Sequence, residues 1–196
     1  MSLPDRPSRA PDRAAMATAL EAFLLASGAQ LDAETRETPA RVARAWCEDF
    51  LDGYGQDPVT LLRSSLVPAP RAGELVVASQ LEFHSMCPHH LLPYKGIAAV
   101  GYVAEAHVVC FGKIAEAIDA LGHRLILQEV LVHRLCDAVT EALSPRGAGV
   151  VISAEHGCMQ VRGRRPARSR ILVEAWSGVF EKDAELRATL ARRAEE

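Results

Sequence analysis

Two short stretches carry the side chains of metal chemistry: Cys87-Pro88-His89-His90 and Glu155-His156-Gly157-Cys158. Pro88 biases Cys87 toward an extended backbone, and His90 follows three residues later across a turn, so a thiolate and an imidazole can converge on one ion. His156 and Cys158 are two residues apart, which on an extended strand puts both side chains on one face, with Gly157 leaving the other face bare. Cys87, His90 and Cys158 would give two thiolates and one imidazole, a set that suits zinc (Zn2+) and leaves a fourth position for water. An ion held in that open way lowers the pKa of its water to about 7. Further histidines beside it, His89 and His156, are what proton transfer during hydrolysis needs. The spacing also admits a closed structural site with His89 or His156 as fourth ligand. Taken singly, Cys158 is an ordinary buried thiol and each histidine an ordinary structural side chain. The pairing of C-x-H-H with a distant H-x-C is what makes them a metal candidate.

These groups need a scaffold. Ala14 to about Ser27 favours helix, with Leu20, Phe23 and Leu24 along it and Gly28 after it. Thr38 can cap a second helix with Pro39 in its first turn, and Val42, Ala45, Trp46, Phe50 and Leu51 recur at helical spacing until Gly53. Residues 56–73 are rich in proline and turn formers and read as a connection. Strands over 74–84 and 95–104 flank the Cys87–His90 cluster. A short helix over 113–121 and a longer one, with Leu127, Leu131, Leu135 and Val139 stepping by four, come next. Strands over 149–156 and 170–180 and a charged helix over 183–195 complete the order. Helices first, then two strands, two helices and two strands favour an α+β fold over an alternating parallel sheet. The expected division is a mobile tail over 1–13, an N-terminal helical segment over 14–73 and a domain over 74–196 that carries the chemistry.

The 196 residues are 49% apolar and 24% charged, which excludes a disordered chain and allows a sizeable core. No apolar run approaches the ~18 residues of a membrane span, and the opening MSLPDRPSRAPDR does not read as a secretory signal. A net charge of −3 gives no overall footprint for nucleic acid. Five cysteines, an odd count with two beside histidines, point to reduced thiols and a metal. The expectation is a cytoplasmic protein with a small-molecule substrate and no membrane or nucleic-acid partner.

Further stretches accompany the two motifs: Thr38-Pro39-Ala40-Arg41-Val42 with Trp46, Ser85-Met86 before Cys87, Leu91-Leu92-Pro93 after His90, Gly101-Tyr102, Lys113, Leu127-Gln128-Glu129 and Arg162-Gly163. In order and separation they resemble the GTP cyclohydrolase I family, zinc enzymes that convert GTP to 7,8-dihydroneopterin triphosphate and formate in pterin and tetrahydrofolate synthesis. The resemblance spans roughly residues 38–180. It implies zinc ligands at Cys87, His90 and Cys158, and proton-handling histidines at His89 and His156. It implies a guanine-gripping carboxylate at Glu129 with Gln128 beside it, and triphosphate contacts at Lys113 and Arg162. It also implies the tunnelling fold (T-fold): N-terminal helices, an antiparallel sheet and two packed helices. In that fold subunit sheets join into a pentameric barrel, two pentamers stack into a homodecamer, and active sites lie between subunits.

The departures from the family pattern gather around the substrate. Pro88 stands where the family has Glu, Glu116 where it has a phosphate-binding Arg, Val130 where it has Arg, and Val173-Glu174 where it has Thr-Ser. Arg162, Arg164, Arg165, Arg168 and Arg170 could replace the lost cations or form an exposed loop. Three readings follow: a GTP cyclohydrolase I; a divergent paralogue that hydrolyses a purine or pterin ring carrying fewer phosphates; and a non-catalytic zinc-stabilised oligomer that binds a nucleotide or pterin. Two proton carriers, His89 and His156, speak against the last.

Overall fold

The computed structural model describes residues 10–161 and 169–195. Residues 1–9 of the expected tail, and Arg162, Arg164, Arg165 and Arg168, lie outside the described residues. The expected α+β class holds. A four-stranded antiparallel sheet in the order β2-β3-β5-β6 is built from β2 (Leu75–Met86), β3 (Pro93–Val103), β5 (Gly147–His156) and β6 (Ile171–Gly178). Helices α4 (Phe111–Gly122) and α5 (Gln128–Leu143) cover one face, and α8 (Ala184–Glu195) covers part of the other.

The leucine ladder explains α5. Leu131, Leu135 and Val139 fall on one side of a 3.6-residue helix and are buried with Ile114 and Ile118 of α4 against Ala98, Val150 and Ile152 of the sheet. On the opposite face Ala99, Val103 and Val151 pack with Phe180, Leu190 and Ala194. Strand β6 stops earlier than the sequence suggests. Gly178 turns at φ 59°, where a Cβ would meet Arg146 O at 2.3 Å, and Val179–Lys182 forms a helical turn (α7) that buries Phe180.

At the N-terminal end, α1 (Arg13–Ala26) is capped by Asp12, and α2 spans Thr38–Ala45. Thr38 is not its cap: Glu37 stands at that position with no side-chain bond, and Thr38 and Pro39 form the first turn. The helix continues as a π-type turn (Trp46–Phe50) and a 3-10 turn (Asp52–Gly55). Residues 56–73 are more than a connection. Asp57 caps a short helix α3 (Pro58–Arg63), whose Leu62 is buried, and β1 (Leu66–Pro68) pairs with β4 (His107–Val109). Both were hidden because their apolar runs are too short to show a period.

Two ties bring the end of the sheet to the start of α5. Met86 bridges to Leu125, and buried Arg124 donates to Ala120 O (2.6 Å) and Gln56 O (2.8 Å). The loop before α5 is thereby pinned beside the turn that follows β2. No described helix is long and apolar enough to cross a membrane.

Candidate active site and metal centre

Strand β2 ends at Met86 and β3 begins at Pro93, so the residues between must reverse direction. Leu91 N–H donates to Cys87 O (2.9 Å) and Cys87 N–H to Leu92 O (3.0 Å), closing a tight turn. Leu91 sits at φ 52°, a left-handed conformation that costs a side-chain-bearing residue about 1–2 kcal/mol. The ladder on both sides holds it there, and the turn folds His90 back so that its Nδ1 lies 3.9 Å from Cys87 Sγ.

The third group arrives from the other side of β3. Strand β5 ends at His156, and residues Gly157–Gln160 form a helical turn (α6) instead of continuing the strand. Cys158 therefore reaches the site from a helical turn, not from the strand face expected from its spacing to His156. Gly157 makes this possible, because a Cβ there would lie 2.7 Å from Pro93 O. The ligand atoms of Cys87, His90 and Cys158 all fall within 4.8 Å of one another. Zn–S of about 2.3 Å and Zn–N of about 2.0–2.1 Å at a tetrahedral angle require S···N and S···S separations of roughly 3.6–3.8 Å. The trio fits a zinc ion with small side-chain adjustment.

His156 is held from two directions. Its ring stacks on Tyr94, centroids 4.7 Å apart and planes 3° apart, and its Nε2 lies 2.8 Å from Gln128 Oε1. Burial pushes the His156 pKa below the ordinary range, while the Glu129 carboxylate pulls it back up. Tyr94 is itself fixed: it is buried, its hydroxyl donates to Ile126 O (3.1 Å), and burial drives its own pKa upward.

A cavity of about 470 Å3 connects these groups, within the range of small-molecule sites. Cys87, His89, His90, Gln128, Glu129, His156 and Cys158, all expected from sequence, lie on its wall. His89 is exposed, and Glu129 is exposed in the first turn of α5. Gln128 is buried, and its amide donates to Ile152 O (3.0 Å) and Ile171 O (2.9 Å). Lys113 does not join them: it lies on α4, paired with Glu116 at 2.5 Å. Arg162 lies outside the described residues. No lysine or arginine is among the described residues of the wall. Tyr94 was missed by the sequence reading; its signal is the β3–β5 register, which sets it opposite His156.

The family profile for GTP cyclohydrolase I matches residues 16–195. The chain belongs to the GTP cyclohydrolase I family. Among its relatives, the GTP cyclohydrolase 1 of Chromobacterium violaceum is 37% identical over 185 residues, 94% of this chain and 89% of that one. The GTP cyclohydrolase 1 of Geobacillus kaustophilus is 40% identical over 153 residues, 78% of this chain and 80% of that one. Among solved structures, the archaeosine synthase QueF-Like in the apo form superposes with a TM-score of 0.46 at 20% identity, over 55% of this chain and 97% of that one. The mixed sheet-and-helix architecture is the tunnelling fold of the GTP cyclohydrolase I family.

Proposed function

We propose that this chain is a zinc-dependent GTP cyclohydrolase I, hydrolysing GTP at C8 to give 7,8-dihydroneopterin triphosphate and formate. The observation that carries the reading is the placement of Cys87, His90 and Cys158 on one cavity wall with His89, His156 and Glu129. Relatives named GTP cyclohydrolase 1 along most of the chain support it.

Cys87, His90 and Cys158 would hold the zinc ion, which when bound would supply Lewis acidity and a water acidic enough to give hydroxide near neutral pH. His156, whose neutral form burial favours, accepts a proton at the cavity wall. His89, on the open side, exchanges protons with the substrate's ring nitrogens and with solvent. The two oxygens of Glu129 accept two N–H bonds from the guanine edge, a geometry only an ionised carboxylate offers. Arg162 binds the triphosphate. Lys113 lies outside this chain's own cavity, so it serves the triphosphate in an assembly whose sites lie between subunits. The edges of β2 and β6, unpaired among the described residues, and an α1 helix with no buried residue support a barrel of subunits stacked as a homodecamer. The setting is cytoplasmic, in pterin and tetrahydrofolate synthesis. The test is zinc-loaded protein with GTP, following formate.

One observation favours a second reading. Glu116 engages Lys113 and places a carboxylate where the resemblance implies a phosphate-binding cation. A substrate with fewer phosphates, hydrolysed by the same zinc site, would suit that arrangement. GMP and guanosine compared with GTP decide between the two.

A further inference from the structure

The orientation of the Gln128 side chain follows from its neighbours alone. Ile152 O and Ile171 O are both carbonyl oxygens, which only accept, and they lie 3.0 and 2.9 Å from one end of the amide. That end must be the NH2 group, and both of its hydrogens are then used. Turning the amide over would set an oxygen against two oxygens in a buried place and forfeit both hydrogen bonds. The other end, Oε1, therefore faces His156 Nε2 at 2.8 Å. An amide oxygen cannot donate, so His156 carries its proton on Nε2. Its Nδ1 has no hydrogen-bond partner among the described residues.

The geometry points to Gln128 and Tyr94 as positioning residues that lock His156 into the Nε2–H tautomer, leaving Nδ1 as a bare proton acceptor toward the cavity. The inference deepens the proposed activity and rests on it for its catalytic consequence. It assigns Gln128 a role different from the contact with substrate expected from sequence, since neither amide hydrogen is free for a ligand. The two clamps act on different freedoms. Tyr94, stacked at 3° and tethered through its hydroxyl to Ile126 O, fixes the ring plane. Gln128, spanning Ile152 on β5 and Ile171 at the start of β6, fixes which nitrogen is protonated. A histidine free to exchange tautomers would present an N–H to the cavity part of the time and would then be unable to accept a proton there.

The test is side-chain nitrogen NMR of zinc-loaded protein labelled with 15N-histidine at about pH 8, with H156Q identifying the His156 signals. The expected result is a protonated Nε2 and an unprotonated Nδ1. In Q128M the two tautomers are expected to mix, kcat to fall roughly 10–100-fold as for other partners that orient catalytic groups, and KM and zinc content to stay near wild type. A protonated Nδ1 in the wild-type protein overturns the inference whether or not Q128M folds. A rise in KM in Q128M with kcat intact also overturns it, because Gln128 would then be a binding residue. Wild-type protein that shows the Nε2–H signal but does not consume GTP supports the clamp and overturns the activity reading instead.

Discussion

Tyr94 and His156 are cross-strand partners on β3 and β5, and their rings stack with planes 3° apart and centroids 4.7 Å apart. The relationship ties strand register to the chemistry of the cavity. The ladder that runs from Val103↔Gly147 to Tyr94↔His156 ends at the candidate metal trio, with Cys87 in the turn before β3 and Cys158 in the turn after β5. A slip of one residue would send His156 to the opposite face of the sheet. Such an aromatic pair adds about 0.5–1.5 kcal/mol beyond its buried area, so the register that builds the site also stabilises the fold.

Removing one thiolate should empty the metal centre without unfolding the chain. C158A is expected to purify with far less zinc than wild type and to lose GTP turnover, while its circular dichroism is retained, because Cys158 is only half-buried at the edge of the core. Metal analysis on the purified variant checks this; a full zinc complement in C158A would contradict the ligand assignment.

His89 should separate binding from turnover. It is exposed and not part of the metal trio. H89A is expected to keep zinc and to lose about 10²–10⁴ in kcat, the usual share of a general acid or base. Loss of zinc in H89A would make it a fourth ligand.

Gly157 should be intolerant of any side chain. A Cβ there meets Pro93 O at 2.7 Å, so G157A must push the turn carrying Cys158 away from β3. Overpacking of this kind costs about 1–3 kcal/mol, and the expected readouts are a lower melting temperature and weaker zinc retention against a chelator.

Glu116 should control how much cationic charge Lys113 can offer. Exposed ion pairs contribute about 0.2–1 kcal/mol, so freeing Lys113 in E116R and adding a second cation is expected to lower KM for GTP by roughly fivefold. An unchanged KM would remove the observation that favours a substrate with fewer phosphates.

Asp119 on α4 should make stability pH-dependent. Burial raises its pKa, against the opposing pull of His123 and His84. A carboxyl whose folded pKa exceeds its unfolded value binds more protons folded than unfolded between the two, so its contribution falls as pH rises through that window. D119N, which does not titrate, is expected to melt higher than wild type at pH 8. The gap should close as pH falls to about 4, the unfolded aspartate value. A gap independent of pH would contradict the assignment.

The order of elements was legible because α5 steps by four, because the strands are apolar runs bounded by turn formers, and because the metal motifs sit at strand ends where turns are forced. Leu127 to Val139 and the partial alternation in the middle of β2 are the clearest of these signals. Helix α3 and the pair β1–β4 were not legible, since six- and three-residue segments owe their form to packing against α4, α5 and each other. In the site, residue types and spacing marked Cys87, His89, His90, His156 and Cys158 as a metal candidate, and the family resemblance named Cys87, His90 and Cys158 as its ligands. The route of Cys158 through a helical turn was not readable, since the decisive contact is between Gly157 and the carbonyl of Pro93. Gln128 was noticed for its neighbour Glu129; the bonds that define it run to Ile152 and Ile171, far along the chain.

The most direct test incubates zinc-loaded protein with GTP and measures released formate together with the ultraviolet change of purine ring opening. Catalytic formate release, lowered about 10²–10⁴-fold in H89A and abolished by chelation, is the expected result. A protein that binds zinc through Cys87, His90 and Cys158 yet leaves GTP, GMP and guanosine unchanged would contradict the account.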